Sequence, residues 1–192
     1  MDIEKAHIIL KDLHKILNKY NIKYFLACGT CLGFVRDGEF MKWDRDIDIG
    51  IIPEKKPFER IIYREMIKLG YEFNKKTVPR KSHRDAIGME IPLISFIQFS
   101  KYKIDVDFYI CHFNNKHTRC ALGRKCSAPV HCLDELKNID IRGLSYNIPN
   151  PIEDYMIWNF GKGWKIPDKE FKSASECKYR AHPNIAYEGL EK

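Results

Sequence analysis

Three aspartates at alternate positions constrain this chain more than any other feature. In WDRDIDIGI (Trp43 to Ile51), Asp44, Asp46 and Asp48 alternate with Arg45 and Ile47, and Ile49 follows. On an extended strand, residues i and i+2 share a face. Asp46 and Asp48 therefore project together while Ile47 and Ile49 turn into a core. Neighbouring carboxylates raise each other's pKa unless a cation stands between them. A divalent ion with a preference for oxygen ligands offsets that repulsion. The segment thus calls for a strand that is apolar on one face and cation-binding on the other.

A second acidic strand repeats the pattern. In KIDVDFYI (Lys103 to Ile110), Asp105 and Asp107 share one face, and Ile104, Val106 and Phe108 share the opposite one. If the two strands are sheet neighbours, either Asp105 or Asp107 can complete the cluster. Magnesium is the natural occupant, with manganese as its substitute, because it binds through a few carboxylates plus substrate phosphate. Upstream, Gly29-Thr30 falls between a strand candidate and an apolar turn of helix. Glycine there lets the backbone approach a phosphate, and a helix N-terminus offers N–H groups. A phosphate clamp, an Asp-x-Asp strand and a third acid together point to metal-assisted phosphoryl or nucleotidyl transfer. The third acid would bind a second ion or act as a base on the attacking hydroxyl.

The rest of the chain frames these strands in one α+β domain. Apolar residues from Ile3 to Tyr20 recur at helical spacing, and Asn21 ends the run. KYFLA (Lys23 to Ala27) reads as a strand, Asp37-Gly38 as a turn and Asp46 to Ile52 as a strand. Pro53 opens a helix with Phe58, Ile61, Ile62, Met66 and Leu69 inward, and Gly70 closes it. LISFIQFS (Leu93 to Ser100) and Lys103 to Ile110 read as two strands joined by a tight turn. Cys111 to Cys132 reads as a long loop, Leu144 to Pro149 as a strand, and Pro151 to Gly161 as a helix with proline at its start. The domain is expected over residues 1–170, with a polar tail over 171–192.

A chain of 192 residues with 44% hydrophobic content is long and apolar enough for one real core. Its net charge of +7 suits an anionic ligand. The basic residues are scattered, the densest stretch being Lys75 to Arg84, and no nucleic-acid-binding motif accompanies them. A nucleic-acid-binding module therefore ranks last, since it leaves the paired acids without a purpose. No apolar run approaches membrane-spanning length, and charges interrupt the N-terminal segment throughout. The expectation is a cytoplasmic chain with reduced thiols, seven cysteines being an odd count.

GTCLGFVRDGEFMKWDRDIDIGI (Gly29 to Ile51) resembles the signature of the LicD family, which includes the fukutin-type proteins. The matching positions are Gly29, Thr30, Leu32, Gly33, Arg36, Gly38, Phe40, Trp43, Asp44, Asp46 and Asp48. IPNPIEDYMIWNFGKGWKIP (Ile148 to Pro167) is similar to the family's closing helix, at Phe160, Gly161, Trp164 and Pro167. The resemblance implies a nucleotidyltransferase-like mixed sheet flanked by helices. It implies a metal-dependent phosphotransferase that moves phosphocholine or a polyol phosphate from a CDP-linked donor to a glycan hydroxyl. Nucleotidylation of a small hydroxylated acceptor is the alternative. Carried over, Asp46 and Asp48 hold magnesium with Asp107 as third acid and Asp105 its rival, and Asp44 joins the site or supports it. Gly29 and Thr30 hold donor phosphate. Arg36 contacts phosphate or pairs with an acid, and Trp43 lines the pocket or joins the core. Arg45 stands where many members carry an acid, and by alternation it points away from the Asp46 face. A peripheral contact of the basic face with a membrane carrying lipid-linked glycans is left open.

CHFNNKHTRCALGRKCSAPVHC (Cys111 to Cys132) could hold a structural zinc through Cys111, Cys120, Cys126 and Cys132, or a mixture with His112, His117 and His131. The spacings are wide and contain no Cys-x-x-Cys. Cys28 and Cys31 read as small residues packing a strand–helix turn, and His14 and His83 as surface residues.

Overall fold

A computed structural model describes residues 1–53, 57–77, 96–114, 117–122 and 126–170. The expected tail (171–192), His83 and most of the basic stretch after Lys75 lie outside them. So do the side chains of His112, His117, Cys120 and Cys126.

Helix α1 (Ile3–Lys19) starts where the Asp2 carboxylate accepts the Lys5 N–H at 3.2 Å. A cap of this kind satisfies one of the N–H groups a helix start leaves unpaired. The apolar stripe Ile9, Leu10, Leu13 and Leu17 is fully buried. Strand β1 (Tyr24–Leu26) is shorter than expected, because helix α2 (Cys28–Arg36) begins one residue beyond Ala27 and takes Gly29 and Thr30 into its first turn. Strand β2 (Asp46–Ile51) follows the acid–apolar alternation. Helix α3 (Phe58–Lys68) is capped by Pro57, so Pro53 does not open it. Phe58, Ile62 and Met66 are its buried residues, whereas Leu69 lies past its end and is exposed.

The remaining elements are β3 (Glu72–Thr77), β4 (Phe96–Lys101), β5 (Ile104–Asn114), β6 (His117–Leu122), β7 (Cys126–Pro129), a single turn α4 (His131–Asp134), β8 (Lys137–Ile141), β9 (Leu144–Ile148) and α5 (Ile152–Phe160). Cys111 to Cys132 is therefore not a long loop. β5 runs on past Cys111, and β6 and β7 continue the sheet as antiparallel neighbours. These strands are held by backbone hydrogen bonds, which a polar side-chain pattern does not reveal. For the same reason β3 (EFNKKT) and β8 (KNIDI) carry little signal in the sequence.

Among the described residues the main sheet has seven strands, ordered β1-β2-β5-β4-β3, with β6 and β7 continuing from β5. β2 and β5 run parallel, and the other pairs are antiparallel. β8 and β9 form a separate hairpin. Ile47, Ile49, Val106, Phe108 and Ile110 form a nearly dry core with Leu10, Leu13 and Leu17 of α1. His14 is not a free surface group: its ring lies 4.8 Å from Tyr146 and its Nδ1 is 3.2 Å from the Tyr24 hydroxyl. Cys28 and Cys31 are both buried. Among the described residues no helix is long and apolar enough to cross a membrane.

Candidate active site

The parallel β2–β5 pairing sets Asp46 opposite Asp105 and Asp48 opposite Asp107. Alternation does the rest, aiming all four away from the isoleucine face. Asp46, Asp48 and Asp107 each bring a carboxylate oxygen within 4.8 Å of the others. Asp105 is outside this group, and its Oδ1 accepts from the Asn74 side chain at 3.4 Å.

Asp48 is 4% exposed and Asp107 is 7% exposed. The Gly29 N–H donates to Asp48 Oδ2 at 3.1 Å. The Gln98 side-chain amide donates to Asp107 Oδ1 at 2.7 Å, and the Tyr109 hydroxyl reaches Asp107 Oδ2 at 3.4 Å. These donors are neutral groups that orient the two carboxylates. The Asp48 N–H donates to the Thr30 hydroxyl at 2.9 Å, and the Asp48 carbonyl accepts from Ala27 at 3.0 Å. Thr30 thus braces the strand from beneath, is 1% exposed and does not line the cavity. Gly29 does line it, with its N–H directed at Asp48.

Asp44 stands beside this group. Burial pushes its pKa up to about 7, and the neighbouring Asp46 adds to the rise through hydrogen bonding and charge. A Cβ on residue 29 would lie 2.5 Å from Asp44 Oδ2, so any side chain there would force the Asp44 carboxylate to shift from its present position. Two buried carboxylates, a third within reach and a fourth with raised proton affinity fit a hard divalent cation held by oxygen.

The turn that presents Gly29 is itself held from the far end of the chain. Cys28 sits at φ +42°, a left-handed conformation uncommon for a residue with a Cβ. Its N–H donates to the Tyr155 hydroxyl at 2.9 Å in a buried contact. Tyr155 lies on α5, and nothing in its local sequence signals this role. Gln98 and Tyr109 were also missed, yet alternation alone puts Tyr109 on the Asp107 face.

A cavity of about 410 Å³ opens over the carboxylates, a volume in the range of small-molecule sites. Gly29, Asp44, Asp46 and Asp48 form one wall, and Trp43, Phe160 and Trp164 supply aromatic surface. Trp43 is 39% exposed and so belongs to the cavity rather than the core. The Lys169 ammonium lies 5.3 Å from its ring centroid. Arg36 also lines the cavity, but its guanidinium is paired with Asp37 at 2.7 and 2.9 Å and reaches the Trp164 carbonyl at 3.5 Å.

A mixed sheet with acids on a parallel strand pair, set beside a Gly-containing helix start, defines a nucleotidyltransferase-fold domain. Solved structures agree at the level of fold. The antibiotic-resistance factor ANT(2'')-Ia is similar in its solution structure (TM-score 0.54, 14% identity, 94% of this chain and 83% of that one). A crystal structure of ANT(2")-Ia in complex with adenylyl-2"-tobramycin is similar as well (TM-score 0.52, 13% identity, 92% and 86%). Residues 21–151 match the LicD/FKTN/FKRP nucleotidyltransferase domain, and the chain belongs to that family. It is 26% identical over 192 residues to the human ribitol-5-phosphate transferase FKTN, covering 97% of this chain and 38% of the relative. The mouse ribitol-5-phosphate transferase FKTN is 27% identical over 194 residues with the same coverage. A Rickettsia prowazekii protein of uncharacterized function, RP689, is 41% identical over 63 residues, 33% of this chain and 24% of its own length. The chain thus spans about two-fifths of the FKTN relatives it matches.

Proposed function

We propose that this domain transfers a phosphorus-containing group from a CDP-linked donor to a hydroxyl of a saccharide, with magnesium or manganese held by Asp46, Asp48 and Asp107. The observation that carries this reading is the convergence of those three carboxylates beside a cavity with aromatic and cationic walls. Family membership supports the choice of phosphotransfer, since the FKTN relatives are named as ribitol-5-phosphate transferases.

A bound divalent ion supplies neutralisation of charge on the phosphate oxygens as the phosphorus–oxygen bonds exchange. The chain's own residues do the positioning. Gly29 and Gln98 aim the buried carboxylates through the hydrogen bonds given above. Trp43, Phe160 and Trp164 offer flat faces for the base and the apolar parts of the donor. Lys169 puts positive charge on the wall that an anionic donor meets, and Arg36, held by Asp37, fixes the position of that wall through the Trp164 carbonyl. Asp105, tied to Asn74, is assigned no contact with the reacting atoms.

Incubation with CDP-ribitol, CDP-choline and free nucleoside triphosphates, each with a panel of saccharide acceptors and Mg²⁺, tests the reading. Release of CMP with a phosphodiester-linked product supports it. Release of pyrophosphate with a nucleotidylated acceptor replaces it with the alternative chemistry. Turnover undiminished in Asp48→Asn refutes the metal assignment.

A further inference from the structure

A second cluster of metal-ligating side chains lies away from the carboxylate site. His131 and Cys132 form the start of α4, and Asp154 sits in the first turn of α5. His131 Nε2 is 3.0 Å from Asp154 Oδ2 and 3.5 Å from Cys132 Sγ. All three donor atoms lie within 4.8 Å of one another. Two of these residues belong to the cysteine- and histidine-rich segment that the sequence marked for zinc. The third, Asp154, comes from outside it.

We propose that His131, Cys132 and Asp154 form a binding site for a borderline-soft divalent cation of the zinc class. Zinc bonds of about 2.0–2.3 Å in a tetrahedron place ligand atoms roughly 3.3–3.8 Å apart. The observed 3.0 and 3.5 Å separations need only a slight opening to admit the ion. The donor set is one sulfur, one nitrogen and one oxygen, which selects zinc over magnesium or calcium. The His131 and Asp154 side chains are 40% and 27% exposed, so water has access to the fourth position. Cys132 is fully buried, which shields its sulfur from oxidation.

The placement gives the ion a structural task. The Asn150 N–H already donates to the Cys132 carbonyl at 2.8 Å, drawing α4 toward the segment that enters α5. An ion bridging His131, Cys132 and Asp154 pins that junction. Tyr155, the residue after Asp154, is the one that holds the Cys28 N–H. The cation would therefore brace the closing helix where it meets the Gly29 turn, without touching the reacting groups.

Elemental analysis of protein purified without chelator or histidine tag, followed by Co²⁺ replacement, tests the assignment. The expectation is about one zinc per chain. Co²⁺ should give a thiolate-to-metal charge-transfer band with the visible bands of a tetrahedral site. Cys132→Ser should abolish the charge-transfer band, and Asp48→Asn should leave it unchanged, which separates this site from the proposed catalytic one. Should Cys132→Ser fail to fold, Asp154→Asn decides: its partly exposed side chain spares the fold, and Co²⁺ affinity should fall roughly tenfold or more. Chelation should lower the Tm of Asp48→Asn as much as that of the wild type. Absence of zinc together with absence of the thiolate band in the wild type overturns the proposal. So does a band that survives both Cys132→Ser and Asp154→Asn.

Discussion

The hydrogen bond from the Cys28 N–H to the Tyr155 hydroxyl offers a sharp test of how the site is assembled. Tyr155→Phe removes one oxygen and leaves the ring, which packs edge-on to Phe25 at 6.3 Å between centroids. Packing volume is nearly conserved, so a cavity contributes little. The loss is the acceptor of a buried N–H, worth about 1–3 kcal/mol. Cys28 is held at φ +42°, a conformation that costs roughly 1–2 kcal/mol for a residue with a Cβ. Without the tyrosine oxygen the peptide is free to relax that strain, which offsets part of the stability cost. Any such relaxation turns the next N–H, that of Gly29, away from Asp48 Oδ2. The expected signature is therefore a modest loss of stability beside a larger loss of function. For a chain of this length, 1 kcal/mol corresponds to about 2–4 °C in Tm. Thermal unfolding followed by circular dichroism should show a fall of roughly 2–8 °C. Under the proposed transfer reaction kcat should fall while KM for the donor changes little, because the variant misaligns a metal-binding carboxylate rather than removing donor contacts. A Tm and kcat both equal to wild type would show that the turn is held by other contacts and that the argument from Tyr155 is wrong.

Asp48→Asn removes a carboxylate that the proposed site uses to hold the divalent ion. The variant should lose any Mg²⁺-induced rise in Tm and about a hundredfold or more in turnover, measured by melting curves with and without Mg²⁺ plus nucleotide and by steady-state rates. Gly29→Ala and Gly33→Ala should separate function from stability. The added methyl at 29 meets the movable Asp44 side chain at 2.5 Å, whereas at 33 it meets the Glu39 backbone carbonyl at 2.7 Å. Gly33→Ala should therefore cost the greater share of an overpacking penalty of about 1–3 kcal/mol in urea unfolding, and Gly29→Ala the greater share of activity. Cys31 is fully buried and its thiol pKa is pushed up by that burial, so it should resist alkylation at pH 8 until denaturant is added, as mass spectrometry of labelled peptides would report.

What the sequence made legible follows from side-chain periodicity. The 3.6-residue stripe of α1 and the two-residue alternation of β2 and β5 are statements about burial, and burial is written in side-chain type. The paired acids stood out because each pair occupies one face of its strand while isoleucine, valine and phenylalanine occupy the other. Elements held chiefly by main-chain pairing were illegible: β3, β6, β7 and β8 have polar or mixed side chains, so nothing in their composition distinguishes strand from loop. The start of α3 was misplaced because a proline at 53 and another at 57 carry the same local signal. Thr30 was expected at phosphate because its neighbour is glycine, but its hydroxyl is taken up by the Asp48 amide. Contacts across the chain, such as Tyr155 to Cys28, depend on how elements dock and leave no trace in either segment alone.

The choice between Asp105 and Asp107 shows why register matters as much as composition. Both lie on the same face of β5, and both have an aspartate as their partner on β2. Their other neighbours differ. On β4, Asp107 faces Gln98, whose amide donates to its Oδ1 at 2.7 Å while the carboxylate still lies within 4.8 Å of those of Asp46 and Asp48. Asp105 faces Ser100, which is hydrogen-bonded to Asn74 of β3 at 3.2 Å, and Asn74 in turn donates to Asp105. One acid is thus held among the carboxylates and the other is drawn toward the β3 side of the sheet. The Gly29 N–H sits at the level of Asp48 and not of Asp46, so the α2 start and the Asp48–Asp107 pair occupy one rung of the ladder. A two-residue slip of β5 against β2 would keep every apolar side chain facing the core, yet it would move Asp107 off that rung. The core therefore cannot choose the register. The polar contacts of Gln98, Asn74 and Gly29 distinguish the two acids, and with them the position of the site.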